Sequence, residues 1–320
     1  MAHSMPLLLV SGALALGLTG TATHADQARS FVSQVLGFGD DAHAPDCTRS
    51  APCAHFQVAH DHTLDDGEIT VLDPGSYGSL TITKNISVIN DGVGETGILV
   101  SGGGIGITIN APAGAAVTLR GLTIKGIGFG GGDGILFNSG AALNVENCSI
   151  RNLDGAGHGN AIRFLPSTTS HLAVSNTIIT DNASAGVIVS PAGAVGVRAE
   201  LDRVQILRSG GAGLLVFGSS SAGVRITVTD SQSAFNGQGF VVQSNAAATT
   251  LEVVRSVASH NATGLLGNDA SATLLVGRSV VTGNGVTWHV NTGAAVFSFV
   301  DNYMFDNDDG SPAPPPASPH

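Results

Sequence analysis

Lysine is nearly missing from this chain. Lys84 and Lys125 are its only lysines, and Lys and Arg together number 13 against 24 Asp and Glu. A net charge of −11 with so few cations excludes a nucleic-acid binder, whose phosphate contacts need a basic face. Aromatic platforms for sugar stacking are also scarce, with one Trp and two Tyr in 320 residues. After the N-terminal apolar run, nothing is long enough to cross a bilayer as a helix. Neither hairpin signals nor helical patterns separate the apolar segments, which excludes a hairpin-built sandwich and a βα fold.

What is present is repetition. Val117, Leu143, Leu172, Ala199, Ile226, Leu251, Leu274 and Phe297 begin successive repeats, 23–29 residues apart. Each has an apolar partner two residues on: Leu119, Val145, Val174, Leu201, Val228, Val253, Val276 and Phe299. Alternation at period two makes these strands. A second strand follows, with inward pairs Ile135/Phe137, Ile162/Phe164, Val187/Val189, Leu214/Val216, Phe240/Val242 and Trp288/Val290. A period in this range means stacked repeats. A leucine-rich repeat has a similar length, but its fixed LxxLxL pattern is absent. The remaining solution is an all-β chain wound as a right-handed parallel β-helix, a solenoid of about ten coils. Its 44 glycines suit sharp corners. Asn182, Asn236, Asn261, Asn284 and Asn307 fall in one register, interrupted by Ser209, and read as a hydrogen-bonded ladder at a bend.

The domain order follows. Residues 1–25 read as a secretory signal ending Thr23-His24-Ala25, with a membrane anchor as the competing reading. Localisation is then secreted, periplasmic or cell-surface. Residues 26–66 form an N-terminal cap, in which Cys47 and Cys53 pair as a disulfide or, less in keeping with their spacing, hold a metal. Within the cap, residues 54–63 have helical character and are placed to cover the open end of the solenoid, with Phe56 and Val58 or Ala59 inward. The β-helix occupies 67–307. Residues 308–320 are Pro-rich and expected to be disordered. Cys148 reads as a small buried residue.

The opening carries a resemblance. Its run FVS…GDD…CTRSAPC…F…GEI-x-VLDPG-x-YG-x-LTITK-x-I, over residues 28–88, resembles bacterial secreted right-handed β-helix repeat proteins of the pectin-lyase-like fold class. The resemblance implies the fold and export, and carries no reaction. Ala54-His55 and an insert at 34–38 depart from the pattern.

Chemistry has one candidate centre. Column alignment places Asp133 over Asn160, with His158 and Arg163 close by and Asp154 able to approach. Gly157-His158-Gly159 resembles the GHG element of polygalacturonase-type glycoside hydrolases, which implies Asp133, His158 and Arg163 as catalytic and Asn160 and Asp154 as binding residues. Hydrolysis needs two carboxylates, one protonated and one ionised, and the adjacent Asp pair of those enzymes is missing. Glu200 and Glu252 stand two coils apart, too far to share a lyase's Ca²⁺. His55, His60 and His62, with Asp61 and His43, read as solvated surface more than as a Zn²⁺ or Ni²⁺ set. The residues imply no cofactor and no metal. Outward on the second strand, Ile188, Leu215, Val241 and Leu266 form an aliphatic stripe, either covered by loops or open to a protein partner. Two function classes stand: an exported, non-catalytic rod binding a polysaccharide, other envelope polymer or protein, and a carbohydrate-active hydrolase or lyase centred on Asp133 and His158.

Overall fold

The computed structural model describes residues 26–35, 41, 46–128, 131–155, 157–218 and 222–317. The expected leader at 1–25, His43, residues 36–38 of the insert and residues 318–320 of the tail lie outside the described residues.

Each coil lays one strand into each of three parallel sheets. The sheets have 11, 10 and 9 strands, and neighbours in a sheet come from adjacent coils. One coil runs Ala142–Glu146, Ser149–Arg151 and Ile162–Phe164, and the next begins at Ser170–Ser175. The 9 strands of the third sheet make nine complete coils, slightly fewer than expected.

The inward columns stack as alternation requires. Leu143, Leu172, Ala199 and Ile226 are successive partners, as are Val145, Val174, Leu201 and Val228, and all are at most 3% exposed. In the third sheet the rings of Phe137 and Phe164 stack at 4.5 Å. Burying each such side chain stabilises by about 1.5–3 kcal/mol. The second sheet escaped the sequence pattern because most of its strands are short. A three-residue strand such as Ser149–Arg151 turns a single side chain inward, here Ile150, so no alternation shows.

The last coil corrects the expected register. Val296 and Ser298 stand inward opposite Leu274 and Val276, and Phe297 and Phe299 turn out. A one-residue slip exchanges the two faces of a strand. Gly277 makes room for the outward ring, since a Cβ there would meet Phe299 Cδ2 at 2.8 Å.

Two corners per coil are built on left-handed backbone. Asn147, Asn176, Arg203, Asp230, Arg255 and Arg278 turn the chain from the first sheet to the second at φ of 47–53°. Asn and Asp tolerate this region, and Arg does so at a cost of about 1 kcal/mol. Bidentate pairing of Arg255 with Asp230 at 2.9 and 2.8 Å holds one such corner to the next coil. Beyond the second corner runs the asparagine ladder. The Asn236, Asn261 and Asn284 amides donate to Asn261, Asn284 and Asn307 Oδ1 at 2.9, 2.9 and 3.0 Å. At Ser209 it breaks: Asn182 Nδ2 and Ser209 Oγ are buried without partners. Ser209→Asn is therefore expected to stabilise the fold by about 1 kcal/mol, measured by urea unfolding, because its Oδ1 can accept from Asn182.

The N-terminal end is closed by more than the expected helix. The strand Gln27–Val32 pairs in parallel with Thr63–Val71, so the first sheet begins inside the cap. The helix Phe56–His62 turns Phe56, Ala59 and His60 inward. His60 is thus not solvated surface: it is 2% exposed, its Nδ1 lies 2.9 Å from Asp61, and its Nε2 accepts from the Thr83 amide at 3.2 Å. Cys47 and Cys53 form a disulfide. Cys148 is buried, and burial pushes its thiol up to about 11.

Residues 308–317 of the tail lie along the last coil. Its backbone finds partners on the last coil: Ser298 N donates to Pro315 O at 2.9 Å, and Ala317 N donates to Ser298 O at 2.8 Å. A terminal strand presents unpaired backbone groups, and the tail satisfies them.

Candidate functional site

Asp133 is the first residue of the third-sheet strand Asp133–Ser139, and Arg163 lies one coil on in Ile162–Phe164. Asn160 and His158 precede that second strand. The structure brings together four of the five residues singled out from sequence: Asp133, His158, Asn160 and Arg163. Asp133 Oδ1 accepts from Asn160 N at 3.0 Å and Asn160 Nδ2 at 2.8 Å. Its Oδ2 accepts from Arg163 Nη1 at 2.8 Å and lies 3.2 Å from His158 Nδ1. Asn160 Oδ1 then accepts from the Ala185 amide at 3.1 Å, tying the cluster to the following coil.

Asp133 is 0% exposed. Burial raises its affinity for a proton, but hydrogen bonds from Asn160, Arg163 and His158 outweigh that and hold the carboxyl below the usual carboxylate range. A carboxylate kept ionised and enclosed cannot serve as a general acid. Asp154 turns elsewhere, accepting from the Gly131 amide at 2.8 Å. The arrangement can lock a corner; it offers no second carboxylate poised across a substrate.

The aliphatic stripe is less open than sequence suggested. Val241 is 1% and Leu266 7% exposed, clustered with Ala212, and Leu215 packs against them. Outward aliphatics stacked about 4.8 Å apart cover one another. Ile188 remains half-buried. The lid histidines do not converge: His55 Nδ1 binds Asp41 at 2.6 Å, while His60 faces Asp61. Among the described residues no three His, Cys, Asp or Glu gather in metal-binding geometry.

A different feature emerges on the outward face of the first sheet. His171, Arg198 and Arg225 are register partners on three adjacent coils, all exposed. Eight of the described arginines lie within 4.0 Å of a carboxylate. Arg198 and Arg225 have no such partner among the described residues. With His171 they line a cleft of about 450 Å³ that Thr169, Gly196 and Gly223 also line. The column continues through Thr250 and Thr273, which carry no charge. Two residues along, the same outward face carries Glu200 on the Arg198 strand and Glu252 on the Thr250 strand, with Thr227 between them. Sequence reading passed over this column, although its members follow one another by 27 residues, the interval separating Leu172, Ala199 and Ile226.

No curated protein and no solved structure matches this chain. A family model described as right handed beta helix region matches residues 104–309, more than half of the chain and most of the stacked coils. With that match and the three-sheet winding together, the chain belongs to the right-handed β-helix family.

Proposed function

We propose that this chain is a non-catalytic β-helix rod that holds an anionic envelope polymer, such as an acidic polysaccharide, along the outward face of its first sheet. One observation carries the reading: two arginines without a carboxylate partner among the described residues, and a histidine, stacked in a chain of net charge −11. Side chains one coil apart repeat about every 4.8 Å, so the three positions span about 10 Å along the rod. That suits an extended ligand with repeated negative charge lying parallel to the axis. The overall negative field repels polyanions elsewhere, and the Glu200–Glu252 side confines them to the cationic strip. A disulfide is in keeping with an oxidising compartment, where such a polymer is met after export. Enclosure of Asp133 weighs against the hydrolase alternative.

The test is binding of the full chain to polygalacturonate and to neutral dextran over a salt series, beside the double variant Arg198→Gln, Arg225→Gln. Wild type is expected to hold only the acidic polymer, more weakly as salt rises, and the double variant to bind about tenfold more weakly or worse. Equal retention of both polymers, or an unchanged double variant, would overturn the reading. So would cleavage of either polymer that disappears in Asp133→Asn.

A further inference from the structure

The cationic strip on the first sheet ends at Arg225. Its column carries charge at His171, Arg198 and Arg225 and none at Thr250 and Thr273. Over the last two coils the same outward face turns apolar. Leu275, on the strand Ala272–Gly277, is the register partner of Phe297 on Ala295–Ser298, and Phe299 follows two residues on. Leu275 and Phe297 are half-buried, and Phe299 is 45% exposed. The register slip of the last coil is what turns both rings outward.

These three apolar side chains line a second cleft, of about 520 Å³, together with Thr250, Thr273 and Ala317. Arg225 lines it as well, and it also lines the first cleft. One guanidinium, with no carboxylate partner among the described residues, therefore faces both. Three coils separate Arg225 from Phe297, a span of about 14 Å along the rod. A cleft of this size suits a small organic group with one polar end. On the other side of Phe299 lies a third cleft, of about 350 Å³, lined by Glu252, Arg278 and Asp301. Asp301 holds Arg278 there at 3.3 Å, so Glu252 leaves that side negative. An anionic head is repelled from that side and admitted at Arg225.

Resting on the polymer reading above, we propose that this second cleft takes an acyl or aryl substituent of the acidic glycan, borne next to a carboxylate that Arg225 binds. Charge complementarity picks the anion, and the continuity of the two clefts across Arg225 makes both groups parts of one ligand. The substituent gains by leaving water against Leu275, Phe297 and Phe299, and the carboxylate gains charge-assisted hydrogen bonds. A neutral ligand leaves Arg225 unanswered, and an unsubstituted acid leaves the rings bare. The chain direction is also set: acidic units lie toward His171 and the apolar group toward Phe297.

The experiment is equilibrium dialysis of the full chain against naphthyl glucuronide, naphthyl glucoside, which lacks the carboxylate, and glucuronate, which lacks the ring. Wild type is expected to bind naphthyl glucuronide about tenfold more tightly than either of the others. Phe297→Ser and Arg225→Gln are each expected to weaken it about tenfold, and Phe297→Ser to leave unsubstituted polygalacturonate binding as it was. Arg198 does not line the second cleft, so Arg198→Gln is expected to weaken polygalacturonate and leave naphthyl glucuronide unchanged. Equal binding of the glucoside, or naphthyl glucuronide binding indifferent to Phe297→Ser, would overturn the proposal. Should polygalacturonate fail to bind while naphthyl glucuronide binds with both sensitivities, the polymer reading falls and the cleft keeps its ligand class. Phe297 faces outward, so its variant is expected to keep the wild-type urea midpoint; should it unfold, Leu275→Gln on the same wall is expected to weaken naphthyl glucuronide likewise, and no effect there would also overturn the proposal.

Discussion

Asp133→Asn is expected to destabilise the fold by about 3 kcal/mol while leaving polymer binding unchanged. In the native chain the carboxylate receives two bonds from Asn160 and one from Arg163, with His158 at its open side. An amide in its place turns a donor toward one set of donors and leaves Arg163 without its counter-charge. Breaking a buried pair costs about 3–5 kcal/mol, and the partial exposure of Arg163 puts this one at the low end. Urea unfolding at neutral pH measures it. The pH dependence has a definite sign. The folded carboxyl sits below its ordinary value of 3.8, so its contribution is complete above that value and is lost as pH falls through the folded pKa. Wild type is expected to lose this part of its stability in that acid range, and the variant to lack that loss. A variant as stable as wild type would show that the cluster is not a lock.

Asn261→Ala is expected to cost about 3–4 kcal/mol. Asn261 Oδ1 accepts from the Asn236 amide at 2.9 Å and from Asn236 Nδ2 at 3.2 Å. Its own Nδ2 donates to Ser233 O at 3.0 Å and Asn284 Oδ1 at 3.1 Å. Truncation removes the partners of two donors and one acceptor on the preceding coil and of one acceptor on the following coil, all buried where water cannot replace them. Asn307, at the ladder's half-buried end, is expected to tolerate the same change with a smaller loss. Equal losses at both positions would argue that the rungs act singly instead of as a connected column. Hydrogen exchange of the Asn236 amide distinguishes the cases directly, since only the Asn261 substitution removes its acceptor.

The fold was legible wherever a strand was long enough to alternate. Leu143/Val145 and its counterparts announce an inward face twice per strand, and the interval between repeats orders the coils. Ile150 and Ile179 carry the same information once each, which is too little. Phe297 misled because size was read as burial; Gly277 accommodates Phe299 outside instead. At the candidate centre the same column alignment correctly gathered Asp133, His158, Asn160 and Arg163. What it could not give was depth. Residue types that suit catalysis at a surface suit a lock when enclosed, and enclosure depends on the loops around them. Arg198 and Arg225 show the converse: their register was readable, but their lack of carboxylate partners among the described residues is a fact of three dimensions.

The passage from first sheet to second is always two residues long over six successive coils, from Asn147 to Ser279, with the first held left-handed and the second tucked inside. The other connections vary freely in length. That asymmetry makes the coil a modular unit of inheritance. Duplicating or deleting one whole turn between equivalent two-residue corners would lengthen or shorten the molecule while the side chains within each surviving coil kept their neighbours, so the length of its outward faces can change without the cross-section being reinvented.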